Sequence, residues 1–306
     1  QCETLGWASL EYRQEKPMGW KEDAKRLRFI EGLSWTETTA EIRRQYFPGE
    51  DTQTVREIVR GYLRRVPEYK IGKPQQEVIG VVGDLHAPFA HPNYIHFIKD
   101  TFKQHGVTRV VFIGDLFDHY SYSRFIKKPL AMNPRQEKEM AIEQMQDYYK
   151  AFPVADVCLG NHDIRYIERA EEFGIDEEII KDFKDIYKMP KGWTIYDEYE
   201  NFLMINDVLY IHGSAYNGKD GAKQAALNEQ MSVVMGHGHS FAGVFPIANK
   251  RKLMFGMNVG CGISISEYAF AYNKKDKFRP LLGCGIVFNS NYAIWVPMGG
   301  QYFRHK

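Results

Sequence analysis

The chain has 306 residues, of which 44% are hydrophobic and 26% charged, enough for one large domain or two smaller ones with a substantial core. Lys plus Arg (40) and Asp plus Glu (39) nearly cancel, so no global basic field draws the chain onto nucleic acid or acidic lipid, and any such binding has to be local. Mean hydropathy is -0.45, no apolar run reaches the roughly 18 residues of a membrane span, and the first thirty residues lack a basic-then-apolar signal pattern.

The four cysteines, Cys2, Cys158, Cys261 and Cys284, show no CxxC spacing and are too sparse for a disulfide scaffold. The expectation is a chain of the reducing cytoplasm without a membrane partner. Its first residue is Gln1 rather than Met, so a processed leader upstream stays open.

Up to Val66 the sequence reads as helices only. Lys21 to Leu33 carries Ala24, Leu27, Ile30 and Leu33 at intervals of three, and Ser34 with Glu37 forms a capping box that starts a second helix through Phe47. Pro48-Gly49 breaks it. A third helix opens near Asp51 or Thr52 with Val55, Ile58, Val59, Tyr62 and Leu63 on one face and Arg56, Arg60 and Arg64 on another. Residues 67–76, with two prolines and no periodicity, read as a linker between a helical domain over 1–66 and a second domain over 77–306.

From Glu77 short β-branched runs alternate with helical stretches, the pattern of an α/β domain with a largely buried sheet. Five runs end at glycine: Val78 to Gly83, Arg109 to Gly114, Ala155 to Gly160, Val208 to Gly213 and Ser232 to Gly236. Helices fit over Asn93 to His105 and Arg135 to Phe152, and the acidic stretch Glu171 to Asp185 reads as a solvated helical face. After Gly236 strand-like runs dominate: Leu253 to Val259, Leu282 to Asn289 and Tyr292 to Pro297.

Polar residues sit just past those strand ends: Asp84-Leu85-His86, Asp115 to Asp118, Asn161-His162-Asp163, His212 and His237-Gly238-His239. Strand carboxyl ends converge on one edge of an α/β sheet, so these side chains can meet in one crevice. Carboxylate, imidazole and amide oxygen without thiolate suit borderline divalent metals, Mn, Fe, Zn, Co or Ni. In D-x-H and H-x-H, strand alternation puts residues i and i+2 on one side, facing one metal. Five of the ten histidines (His86, His162, His212, His237, His239) fall at these points. His91, His96, His105 and His305 lie outside every motif and read as surface residues.

The ordered set DxH, GDxxD, GNHD, H, GHxH resembles the calcineurin-like metallophosphoesterase superfamily, over roughly Val78 to Pro297. That resemblance implies a four-layer α-β-β-α sandwich, two mixed sheets face to face with helices outside, and two divalent metal ions, Mn first among the candidates. Asp115 would bridge the metals; Asp84, His86 and His239 would complete one shell and Asn161, His212 and His237 the other. His162 would face a phosphoester substrate, oriented by Asp163, and protonate the leaving oxygen or stabilise its charge. Asp118 would act behind the ligands or fix a loop, with a substrate contact as the alternative. Phosphoprotein phosphatases carry an Arg directly after the second motif, where this chain has His119, which weakens a protein-phosphatase reading.

The resemblance stops short of the first 70 residues, whose three helices look like a helix-turn-helix of the homeodomain-like kind, with Arg56, Arg60 and Arg64 as candidate nucleic-acid contacts. Residues 1 to 70 hold 13 Lys plus Arg against 12 Asp plus Glu, little charge for a dedicated DNA-binding domain. A bundle docked on the catalytic domain, or one mediating oligomers, is the competing expectation. For the whole chain the first expectation is a phosphodiesterase or nuclease acting on nucleic acid. A phosphatase of small phosphomonoesters or nucleotides comes second. A binding module with a structural metal comes third, disfavoured because a scaffold has no need of His162.

Overall fold

The computed structural model describes residues 19–31, 33–64, 77–124, 132–250, 252–264 and 279–299, so Cys2, His305 and the linker over 67–76 lie outside the described residues. The chain divides into two compact units, 1–76 and 77–306.

In the first unit α1 (Trp20–Lys25) runs into a π-helical turn (Arg26–Ile30), so the expected first helix changes its hydrogen-bond step midway. Helix α2 (Trp35–Tyr46) starts at the expected capping box: Ser34 accepts from the Glu37 amide at 3.2 Å, and Glu37 accepts from the Ser34 amide at 2.8 Å. Helix α3 (Thr52–Leu63) is capped by Asp51, which accepts from the amides of Gln53 and Thr54. Trp20, Ala24, Leu27, Ile42, Phe47, Val55, Val59 and Leu63 form the core of this unit.

The arginines of α3 depart from expectation. Arg56 and Arg60 directly follow the core positions Val55 and Val59, and one residue is only 100° around a helix, so they flank the apolar face instead of opposing it. Both are half-buried, and the Arg60 guanidinium lies 5.2 Å from the ring centroid of Trp35. Arg64 alone of the three is exposed.

The second unit is a two-sheet sandwich. One sheet has the order β11-β10-β1-β2-β3-β4 and the other β5-β6-β7-β9-β8. The strands are β1 (Val78–Val82), β2 (Arg109–Phe112), β3 (Val154–Cys158), β4 (Gly192–Tyr196), β5 (Leu203–Ile205), β6 (Val208–Ile211), β7 (Ser232–Met235), β8 (Gly243–Ala248), β9 (Leu253–Asn258), β10 (Gly283–Phe288) and β11 (Tyr292–Pro297). β1 to β4 run parallel, as do β6, β7 and β9, and their buried runs are apolar on both faces, as parallel strands covered on both sides must be.

Alternation along β1 assigns its faces. Ile79 and Val81 join Val111, Ile113, Val208, Tyr210, Val234 and Met257 between the sheets, while Val78 and Val82 turn outward to α4 (Tyr94–Gln104) and α5 (Pro134–Ala151). Beyond the second sheet Leu209, Ile211, Val233 and Met235 pack on Ala222, Ala225 and Ala226 of α8 (Gly221–Asn228). The result is the four-layer α-β-β-α sandwich.

The acidic stretch Glu171 to Asp185 differs from the expected continuous helix. Helix α6 (Arg165–Glu172) ends before Gly174, whose φ of 70° closes the turn. A 3-10 turn (Glu177–Ile179) follows, then α7 (Phe183–Ile186), which buries Phe183. Cys158, Cys261 and Cys284 are free and buried. No described helix is long and apolar enough to cross a membrane.

Candidate metal centre

Parallel β1, β2 and β3 end side by side in one sheet, and parallel β6 and β7 in the other, so the residues after their carboxyl ends meet at one edge of the sandwich. Two groups of side chains there have ligand atoms within 4.8 Å of one another: Asp84, His86, Asp115 and His239, and Asp115, His212 and His237. Asp115 belongs to both. Its Oδ2 lies 3.3 Å from His212 Nε2 and 3.7 Å from His86 Nε2, while Oδ1 accepts from the His162 amide at 2.8 Å. Asn161 Oδ1 is 3.2 Å from His212 Nε2, which places it beside the second group.

Strand alternation is not what brings these pairs together. Asp84 and His86 lie past the end of β1, and His237 and His239 past β7; His86, Asp115 and His237 adopt left-handed backbone, with φ of 51°, 48° and 61°. Non-glycine residues pay about 1–2 kcal/mol each for that conformation, a strain found where loops are held for function. Glycine is required where there is no room at all. A Cβ on Gly236 would collide with Asp84 Oδ1, and one on Gly160 with Asp115 Oδ1.

The outward nitrogens of three histidines are engaged as donors. His86 Nδ1 donates to Asp118 Oδ1 at 2.8 Å, His212 Nδ1 to the Ile113 carbonyl at 3.0 Å, and His237 Nε2 to Asn217 Oδ1 at 2.8 Å. Their inward nitrogens therefore point lone pairs at the centre. His86 Nε2 faces His239 Nε2 at 3.1 Å, and His237 Nδ1 faces His212 Nε2 at 3.2 Å, contacts that repel unless a proton or a cation lies between. Asp84 Oδ1 is buried with no hydrogen-bond partner, while its Oδ2 lies 2.8 Å from His239 Nε2. Facing lone pairs and an orphaned carboxylate oxygen are what a cation site requires, and the residues fit one.

The electrostatics agree. Burial opposes charge on Asp84 and Asp115, but the surrounding histidines outweigh it and hold both carboxyls below their ordinary range. Burial likewise opposes charge on His212, yet Asp115 and Asp84 push its imidazole up to about 10. In the bare site a proton thus sits where a divalent cation would replace it.

His162 lies beside the two groups, its Nε2 3.9 Å from Asp115 Oδ2. Burial lowers its basicity, but Asp115 and Asp118 more than offset this and the net shift is upward. The side chains of His162 and His239 are 11% and 21% exposed against 2% or less for Asp84, His86, Asp115 and His212, so the centre opens to solvent on their side.

The expected orienting residue is a different aspartate. Asp163 Oδ1 accepts from the Phe117 amide at 3.0 Å and Oδ2 from the Gly160 amide at 2.9 Å, so its carboxylate braces two loops and has no hydrogen bond to His162. Burial, with the repulsion of Asp115, raises its pKa to about 7. The carboxylate at His162 is Asp118, 3.2 Å from Nδ1, which also receives the His86 proton; Asp118 O accepts from His162 Nδ1 at 2.8 Å. These bonds account for the close grouping of His86, Asp118 and His162. His119 points away from the metal groups: Nδ1 donates to the His162 carbonyl at 2.6 Å, Nε2 meets the Tyr187 hydroxyl, and burial lowers its pKa to about 4.

Two residues at the site escaped the sequence reading. Arg165 donates from Nη2 to His162 Nε2 at 2.6 Å, and Asn217 anchors His237. An arginine three residues after the histidine of GNHD, at the start of a helix, was a readable signal for the first; Asn217 lies in a loop with no motif around it.

The chain belongs to the calcineurin-like phosphoesterase family, which matches residues 78–269. It is a metal-dependent phosphoester hydrolase with an unassigned helical unit ahead of the matched region. Similar solved structures include Vacuolar Protein Sorting 29 from Cryptosporidium parvum, 12% identical, covering 74% of this chain and 94% of that one at a TM-score of 0.38. Another is the phosphoesterase YfcE from E. coli, 13% identical, covering 68% and 87% at a TM-score of 0.32. A third is Vps29 of Chaetomium thermophilum, 10% identical, covering 69% and 83% at 0.35. No curated protein matches the chain.

Proposed function

We propose that the chain hydrolyses phosphodiester bonds of nucleic acid, using two divalent cations with Mn as the first candidate. The observation that carries the hydrolytic reading is Asp115, shared by both ligand groups with His162 alongside. Asp84, His86, Asp115 and His239 would hold one ion and Asp115, Asn161, His212 and His237 the other. Two such ions, when bound, neutralise phosphoryl oxygens and acidify a coordinated water. The protein's own part is then positional. The main-chain carbonyl of Asp118, with its carboxylate close by, holds the proton of His162 at Nδ1, which leaves Nε2 as the atom that exchanges a proton with the leaving oxygen. Asp163 fixes the loops that carry Phe117 and Gly160.

Support for a diester comes from His119. It occupies the position after GDLFD, is turned away from the centre and is uncharged at neutral pH, so that loop offers no cation to a phosphomonoester dianion. We further propose that α3 contacts DNA through Arg64 and Arg56, with Arg60 held over Trp35.

The test is turnover of a chromogenic phosphomonoester, the matching diester, and single- and double-stranded DNA, each with Mn added. The expected result is metal-dependent cleavage of the diester at least as fast as of the monoester. Asp115→Asn should abolish it with loss of bound metal, because one carboxylate charge serves both ions. Activity that survives thorough chelation refutes the metal mechanism. A large monoester preference moves the assignment to a phosphatase of small phosphomonoesters or nucleotides.

A further inference from the structure

Helix α6 begins three residues after His162, so its first residue, Arg165, comes back to the histidine's side one turn on. Its Nη2 donates to His162 Nε2 at 2.6 Å and its Nη1 to the Asp118 carbonyl at 3.0 Å. Among the described residues no carboxylate ion pair forms with this guanidinium within 4.0 Å, whereas Arg169, one turn further, pairs with Glu172. Arg165 is therefore a half-buried full charge whose hydrogen bonds go to two neutral acceptors. The same His162 Nε2 that it meets lies 3.9 Å from Asp115 Oδ2.

Guanidinium bonds to anionic oxygens are about twice as strong as bonds to neutral acceptors, so the present partners are ones that a phosphoryl oxygen displaces. His119 cannot take this part, since both its ring nitrogens are engaged.

We propose that Arg165 is a substrate-binding residue: its guanidinium releases His162 Nε2 and takes a non-bridging oxygen of the scissile phosphate, leaving Nε2 free to face the leaving oxygen. This rests on the hydrolase reading above and names the group that fixes the phosphate in it. A single guanidinium matches the single negative charge of a diester.

The test uses the full Mn-loaded chain, a chromogenic phosphodiester, and inorganic phosphate as inhibitor and as titrant in calorimetry. Arg165→Met should raise both KM and the phosphate dissociation constant by about 10- to 100-fold with bound metal unchanged, and Arg165→Lys should restore part of the loss. Unchanged phosphate affinity in Arg165→Met overturns the inference, as does a loss of bound metal in step with the loss of affinity, which would make Arg165 a brace of the Asp118 loop. A wild type that turns over no ester would sink the hydrolase reading instead, and the calorimetric comparison would still decide the role of Arg165.

Discussion

Exchanging a carboxylate for an amide at Asp118 and at Asp163 separates the parts played by two buried aspartates near His162. The Asp118 carboxylate takes the His86 Nδ1 proton at 2.8 Å and lies 3.2 Å from His162 Nδ1, whose proton goes to the Asp118 main-chain carbonyl at 2.8 Å. In Asp118→Asn the His86 bond falls from a charged acceptor to a neutral one and His162 keeps its main-chain acceptor but loses the negative charge beside its ring, a loss of roughly 1 kcal/mol apiece, and the amide also offers N–H groups that favour the wrong tautomer of either ring. The His86 share should appear as metal affinity about 5-fold weaker, the factor that about 1 kcal/mol makes in an equilibrium constant. The His162 share should appear as a similar drop in kcat for esters with poor leaving groups, together spanning the 10- to 100-fold range of residues that orient ligands. Asp163→Asn instead sets an amide against two backbone N–H groups and should cost about 1–3 kcal/mol of folding stability. The assays are Mn titration calorimetry, urea denaturation, and kcat across a series of aryl phosphodiesters of graded leaving-group pKa. A leaving-group dependence altered by Asp163→Asn and untouched by Asp118→Asn would refute the reasoning.

His162→Ala should leave metal content intact and lower kcat by roughly 10²- to 10⁴-fold for poor leaving groups, with a smaller effect on good ones; equal loss across the series would remove the acid role. His119 is neutral in the fold down to about pH 4, while in the unfolded chain it takes a proton near pH 6.5. Protons therefore favour unfolding between those values, and stability should fall by up to about 3 kcal/mol as pH drops from 6.5 to 4. His119→Gln should flatten that part of the urea-midpoint profile, and an unchanged profile would contradict it. Replacing Arg56 and Arg64 together with Ala should reduce the slope of log DNA affinity against log salt by about two, at roughly 0.9 per phosphate contact, with small-ester turnover preserved; an identical slope would make both a solvated face.

The elements visible in the sequence were those whose burial leaves a pattern. β1, β2, β3, β6 and β7 read directly because strands covered on both faces are continuous β-branched runs, and glycine marks their ends. β8 was hidden by Pro246, which demotes a run, yet β8 is the edge strand of its sheet, where a missing N–H is tolerated. β5 is three residues long and α6 buries none of its own, so neither leaves a periodic trace. At the site, motif order placed Asp84, His86, Asp115, His212, His237 and His239 together, because parallel topology converts chain order into a shared edge. Adjacency misled for Asp163. The residue next to His162 in the chain faces the amides of Phe117 and Gly160, and both the carbonyl that accepts from the ring and the carboxylate beside it come from Asp118, 44 residues earlier in the chain.

Asp84, Asp115 and Asn161 leave the ends of strands in one sheet, and His212, His237 and His239 leave strands in the other. A cation shared between them is a rivet through the two halves of the sandwich. Apolar packing between the sheets, Ile79 and Val81 against Val234 and Met257, resists their separation in proportion to area alone, whereas a rivet resists it in proportion to the logarithm of the free ion. At a thousand times the dissociation constant that amounts to about 4 kcal/mol, comparable to the whole margin of many folded domains. With such an ion bound, the concentration of metal around the chain would help determine how firmly its two layers are joined, quite apart from the reaction at their edge.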